Sequence, residues 1–251
     1  MNIGIVILAT NAYFPLGIRL IKKFTHYYTG NAHIKFYFFS DTSPAPYINP
    51  DIDVEHIEQS HTSWVQGTNS KFHNIISLES SSVDYLYYFD ADTNIDKHFD
   101  EKWMLGKLVG GQHFGDESWM KHKKPFDRYP KSKAYIPETT ELPQMYYLGA
   151  FFGGQKDNVI NFCKVLKMWQ DEDKKIPYEP GVNDESYINK YFHIYKPTTV
   201  LFKDFAFKIS DKGGIGETRN TNLDISKIKE DLLGLRSSNN VDIRENKVIT
   251  I

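Results

Sequence analysis

The sequence predicts an α/β fold, a Rossmann-like sheet flanked by helices, on three observations. Apolar runs alternate with stretches of helical spacing in the order β-α-β-α-β over the first 90 residues. The runs are continuous rather than alternating, as in parallel strands buried on both faces. The last of them, VDYLYYFD (83–90), runs into Asp90 and Asp92, and sheets of this kind gather their ligands at the carboxyl ends of their strands.

Each element has its own signal. Ile3 to Ala9 is continuous and β-branched, a first strand. After Phe14-Pro15, Leu16, Leu20 and Phe24 share one face of a helix stopping near Gly30. IKFYFFSD (34–41) is a second strand, followed by a Pro/Ser loop. KFHNIISLES (71–80) has helical spacing at Phe72, Ile75, Ile76 and Leu78, and the third strand follows at 83–90. MYYLGAFFGGQ (145–155) is a further buried segment punctuated by glycines. Asp157 is placed to cap a helix carrying Val159, Phe162, Val165, Leu166 and Trp169. NDESYINKYF (183–192) predicts a shorter helix with Asn183 as its N-cap. Beyond about Asp211 the chain turns polar and Gly/Asn-rich, which predicts a mobile tail over 211–251 after a single domain spanning 1–210.

Composition narrows the function classes. A net charge of -2 offers no field that draws the chain to nucleic acid or an anionic membrane. Cys163 is the only cysteine, which excludes an internal disulfide and a multi-cysteine metal site and points to a reducing compartment. MNIGIVILAT has no basic flank or cleavage site, and no stretch is long enough to span a bilayer. The expectation is a soluble, cytoplasmic protein.

Asp-x-Asp is a weak signal by itself, and the chain carries its own controls. Asp51/Asp53 and Asp171/Asp173 share the spacing but lie in stretches that read as solvated. Only Asp90/Asp92 follows a strand of large apolar residues. Residues two apart on a strand share a face, so both carboxylates can approach one hard cation, Mg²⁺ or Mn²⁺, completed by water and phosphate. A sheet-edge turn or helix cap is the plainer alternative. A phosphohydrolase of the haloacid dehalogenase type also needs an Asp-x-Asp after a strand. There the fifth position is Thr and the motif sits on the first strand, whereas here Asn94 follows Thr93 on the third.

Three stretches together carry a resemblance: AYIPETTELPQMYYLGAFFGGQ (134–155), NDESYINKYF (183–192) and VDYLYYFDAD (83–92). The chain resembles glycosyltransferase family 6, which holds the ABO histo-blood-group transferases and the α-1,3-galactosyltransferases. Those enzymes carry YIP, YYLGGFFGG and WHDESxLNKY in the same order, and IGIVILATNAY and KFYFFSD also fall into register. The resemblance covers roughly residues 3–200.

It implies a GT-A fold with a mixed sheet, a nucleotide-binding part over about 1–95 and an acceptor part over about 96–210. It also implies transfer of galactose or N-acetylgalactosamine from UDP to the 3-OH of a β-galactoside, with retention. Asp90 and Asp92 match the metal-binding pair, and Asp90 also borders the donor. Tyr13 matches a tyrosine that packs on uracil, though a core aromatic after the first strand reads equally well. Ala9 shares that donor loop, and Lys71 stands where relatives have arginine. Leu148, Gly149 and Ala150 match the tripeptide that separates the two donors; Leu148 leans toward N-acetylgalactosamine and Ala150 toward galactose. Glu185 matches the glutamate beneath the anomeric carbon, with Asp184 bonding sugar hydroxyls, although both also read as first-turn acids complementing a helix dipole. His113 aligns with an acceptor contact. Val182-Asn183 replaces the family's Trp-His, which leaves the acceptor open. Lys203, Lys208, Lys212 and Arg219 are the basic residues available to close over the diphosphate. A second class, a silent glycan- or nucleotide-sugar-binding module on the same scaffold, stands against the enzyme reading.

Overall fold

The computed structural model describes residues 1–61, 63–115, 117–138, 145–202 and 207–209. Strand β1 (Asn2–Leu8) leads through a short 3₁₀ turn (Asn11–Tyr13) into helix α1 (Phe14–Tyr27), then β2 (His33–Ser40) and β3 (Val54–Glu58). Helix α2 (Trp64–Ser77) precedes β4 (Tyr85–Asp90) and the short β5 (Thr93–Ile95). Then come β6 (Val109–Gln112), α3 (Glu117–Lys123), β7 (Tyr147–Gln155), α4 (Lys156–Asp173), α5 (Asn183–Ile194), β8 (Thr199–Leu201) and β9 (Phe207–Ile209).

Seven strands form one mixed sheet in the order β3-β2-β1-β4-β7-β6-β8. The first four are mutually parallel, as predicted. β7 runs antiparallel to both β4 and β6, while β6 and β8 are parallel. β5 and β9 pair antiparallel in a separate ribbon, Asn94 opposite Lys208.

The continuous apolar runs are explained by two cores. Ile3, Ile5, Ile7, Phe36, Phe38, Tyr87 and Phe89 face α1 and pack with its Leu16, Ile18, Leu20, Ile21 and Phe24. The intervening Val6, Tyr37, Phe39, Leu86 and Tyr88 face α2, α4 and α5, meeting Phe72, Ile75, Phe162, Leu166, Ile188 and Phe192. Period-two alternation therefore survives, with both faces apolar because both are covered.

Several expectations need correction. The strand ending at Asp90 is the fourth in the chain, because β3 precedes it. β3 is a five-residue, half-exposed edge strand rich in charge, and edge strands carry such charge against unwanted pairing. β6 reads VGGQ and lacks any β-branched run. Its Gly110 is needed because a Cβ there would lie 2.9 Å from Tyr147 Cδ1 and 3.0 Å from Phe192 Cε2. α2 begins at Trp64, seven residues earlier than its apolar spacing, where the Ser63 side chain accepts from the Gln66 N–H. Asp157 lies in the first turn of α4 and does not cap it; Gln155 occupies that place without a side-chain capping bond to the backbone. Val182, not Asn183, is the N-cap of α5, and Asn183 is its first residue, at φ +45°. Asp173 is not solvated. It is 2% exposed and accepts from Ser132 Oγ (2.7 Å), the Lys133 N–H and Tyr187 Oη (3.0 Å), which pins the 132–133 loop to α5.

Candidate active site

β1 and β4 pair in register from Ile3–Tyr85 to Leu8–Asp90. From β1 the chain steps outward to β2 and β3, then crosses back to β4 on the other side. The carboxyl edge between β1 and β4 is thus a topological switch point, where open α/β sheets bind ligands. Ala9 is buried there, its N–H donating to Phe39 O at 2.9 Å. Tyr13, in the 3₁₀ turn, is half-buried against the α1-side core. Asp90 closes β4, and Asp92 lies in the turn to β5, so a turn rather than a shared strand face relates the two acids. Phe151 of β7 pairs with Phe89, which brings the preceding Leu148, Gly149 and Ala150 alongside Asp90.

Lys71 projects from α2 and is 3% exposed. Its ammonium donates to Gly149 O (2.9 Å) and Asp184 Oδ2 (2.5 Å), stands 3.4 Å from Asp90 Oδ1, and lies 4.4 Å from the Tyr88 ring centre. Burial alone lowers the ammonium pKa, but Asp184 and Asp90 together outweigh it and hold the pKa above the ordinary value. Asp184 responds in the opposite sense: burial raises its carboxyl, Lys71 opposes, and the net shift is upward. Tyr88 donates its hydroxyl to Asp90 Oδ1 at 2.6 Å. One buried cation thus ties the switch point to the first turn of α5.

Glu185 is the other acid of that turn. The Gly149 N–H donates to its Oε2 at 2.6 Å. Burial pushes the carboxyl up to about 7, and this bond limits the rise. The Tyr146 hydroxyl is close enough to act electrostatically on Glu185 yet makes no hydrogen bond of ordinary geometry. Asn189, one turn on, fixes the helix: its amide accepts from the Tyr147 N–H and donates to Tyr147 O and Glu185 O. Glycine at 149 leaves room for this close approach. A Cβ there would sit 3.0 Å from Glu185 Cβ, 3.1 Å from its Oε2 and 3.3 Å from Asp184 Oδ2. Gly149→Ala is expected to displace the carboxylate, costing about 1–3 kcal/mol of stability and a larger share of turnover. Thermal melts beside steady-state rates check this; a rate equal to wild type would show that the contact is dispensable.

His113 follows β6 and lies at the rim. Phe114 and Trp119 stack on its ring at 4.1 and 4.3 Å, and Tyr146 meets it edge-on at 5.3 Å. The Gly115 N–H donates to Nδ1 (2.9 Å), which leaves the ring proton on Nε2. Burial lowers its pKa to about 4, so the ring is a neutral donor. Through Tyr146 this aromatic set reaches Glu185.

Sequence reasoning missed Asn189, Tyr146, Tyr88 and Trp119. Asn189 carried a usable signal, a polar residue four positions after Glu185 on a helix face otherwise buried. The contacts of the others cross between elements and have no spacing to read. Lys203, Lys212 and Arg219, with the rest of the tail, lie outside the described residues. Lys208 lies in β9, and its backbone alone is described. Among the described residues no helix is long and apolar enough to cross a membrane.

Comparison with known proteins places the chain in a family. The profile of glycosyltransferase family 6 matches residues 1–214. The globoside alpha-1,3-N-acetylgalactosaminyltransferase 1 of Gallus gallus is 27% identical over 82% of this chain and 61% of its own length. The histo-blood group ABO system transferase 2 of Rattus norvegicus is 29% identical over 81% of this chain and 63% of its own. The O-antigen biosynthesis glycosyltransferase WbnI of Escherichia coli is 26% identical over 65% and 70% respectively. The chain thus spans less than two thirds of the length of the two animal relatives. With the mixed sheet and a family match over residues 1–214 in hand, the chain belongs to glycosyltransferase family 6.

Proposed function

We propose that this chain transfers galactose or N-acetylgalactosamine from its UDP donor to the 3-OH of a β-galactoside, forming an α-1,3 linkage with retention. The observation that carries the reading is a carboxylate, Glu185, held by the Gly149 N–H within the donor-discriminating tripeptide, beside the ion pair that links Asp184 to Asp90.

A single in-line displacement inverts the anomeric carbon, so retention needs a carboxylate that attacks it or shields an oxocarbenium-like centre. Glu185 is that group. Lys71 opposes the effect of burial on Asp184 and fixes that side chain, ready to accept hydrogen bonds from sugar hydroxyls. His113, a neutral Nε2–H donor with both faces stacked, orients an acceptor hydroxyl. Leu148 leans toward the N-acetylgalactosamine donor and Ala150 toward galactose, so the tripeptide pulls in both directions. Such a pocket separates two donors by only about 1–3 kcal/mol, so both UDP-sugars belong in the test.

The residues present fit a divalent ion. Among the described residues no three His, Cys, Asp or Glu side chains converge, but the Asp90 side chain is 37% exposed at the switch point, next to a second acid. Two carboxylates are the usual protein share for Mg²⁺ or Mn²⁺ on a nucleotide. Asp90 and Asp92 would hold it, and the ion would supply Lewis acidity to the departing diphosphate.

The test is a screen of both UDP-sugars against β-galactoside acceptors, with product linkage determined by NMR. Transfer that collapses in EDTA and recovers with Mn²⁺ is the expected result. Undiminished turnover in chelator removes the metal, and no transfer from either donor overturns the reading.

A further inference from the structure

His61, in the segment between β3 and α2, is 7% exposed and takes no part in the chemistry above. It stitches three elements together at the carboxyl edge of the sheet. Nδ1 lies 3.3 Å from Thr10 Oγ1, Nε2 lies 2.9 Å from Ser70 Oγ, and its backbone carbonyl accepts from Asn11 Nδ2 at 2.8 Å.

The proton positions follow from the partners. Ser70 donates its single hydroxyl proton to Gly67 O at 2.8 Å, so toward His61 it can only accept. Nε2 therefore carries the ring proton, and Nδ1 accepts from the Thr10 hydroxyl. Gln59 agrees once its amide is turned. With its nitrogen 3.0 Å from Nε2 two donors would face each other; the reverse orientation places an acceptor there instead. Burial lowers the His61 pKa against the opposing charge of Asp41, which favours this neutral form.

The turn it holds is strained. Asn11 adopts φ +53°, a left-handed conformation that persists only where its surroundings enforce it. Two ties do so: the Asn11 N–H donates to Asp41 Oδ1 (3.0 Å) and its side chain to His61 O. Ala9 lies before this turn, Tyr13 after it, and Lys71 next to Ser70.

We infer that His61 is a positioning residue for the nucleotide half of the donor, locking the Thr10–Asn11 turn so that the Ala9–Tyr13 segment is preformed when the nucleotide arrives. The inference rests on the donor reading above. Preformed contacts lower the ordering cost of binding, so the effect falls on donor affinity rather than on turnover.

UDP with Mn²⁺ is titrated calorimetrically into wild type, His61→Phe and His61→Gln, alongside steady-state kinetics and thermal melts. Phe keeps the bulk and loses every ring bond; about tenfold weaker UDP binding and a matching rise in donor KM are expected. At saturating donor, kcat and acceptor KM should stay within about threefold. Gln offers one acceptor and one donor and should recover much of the affinity. If His61→Phe does not fold, Thr10→Val removes the other end of the bond and should weaken UDP comparably. Unchanged UDP affinity in a folded variant, or a loss confined to kcat, overturns the inference alone. Wild-type protein that binds no UDP overturns the donor reading, and the inference with it.

Discussion

Glu185→Gln is expected to slow sugar transfer by about 10²–10³, leave donor binding intact and make the protein more stable above pH 7. The carboxyl is buried and displaced from 4.5 to about 7, so ionising it in the folded chain costs roughly 3 kcal/mol at about 1.4 kcal/mol per pH unit. The sign follows from proton binding. Between about 4.5 and 7 the folded chain holds a proton that the unfolded chain has released, so stability falls as pH rises through that window. Above pH 7 the cost is fully in place. Glutamine keeps an oxygen for the Gly149 N–H and carries no charge, so it should recover about 1–3 kcal/mol, at about 2–4 °C per kcal/mol for a chain of this size. The same change removes the group that meets the positive charge developing at the anomeric centre, a loss of about 10²–10³ in kcat. Wild-type kcat should rise with pH through about 7, because the working form is the carboxylate. Melts at pH 5 and 8, paired with transfer rates, decide the matter. A variant near the wild-type rate removes Glu185 from the chemistry, and one no more stable at pH 8 removes the burial argument.

Lys71→Met should be the most destabilising single change in the site. It deletes the cation shared by Asp184, Asp90 and the Gly149 carbonyl and leaves Asp184 charged in an environment only 5% exposed. Removing one partner of a buried pair costs about 3–5 kcal/mol. Adding Asp184→Asn to Lys71→Met neutralises the stranded acid and should return much of that stability, so the double-mutant cycle should show strong coupling. Activity should not return, because a neutral side chain at 184 accepts sugar hydroxyls less strongly. Denaturant titration of the four proteins measures this; additive losses would mean that the ion pair is energetically idle.

Much of the frame was legible because it rests on local rules. The runs at 3–9, 34–41 and 83–90 became β1, β2 and β4 since large apolar residues leave few alternatives when both faces of a strand are covered. Helices at α1, α4 and α5 followed from apolar spacing. Among the elements that escaped, β3 is charged, β6 is glycine-rich and β8 is only three residues long, and they are strands only because a neighbour completes their ladders. Gly110 illustrates it: its β role depends on two rings that reach it from β7 and α5.

The site divides the same way. Asp90 and Asp92 stand out in the sequence because they follow an apolar strand, a local event set by residue type and position, whereas Glu185 is singled out through the family resemblance. That Lys71 would be buried, spending its charge on Asp184 from 113 residues away, was decided only when α2, α5 and β7 packed together. So were the displacement of Glu185 to about 7 and the wiring of His61 to Thr10. Charge, desolvation and proton position depend on what surrounds a group in space, and those surroundings come into being only with the tertiary fold.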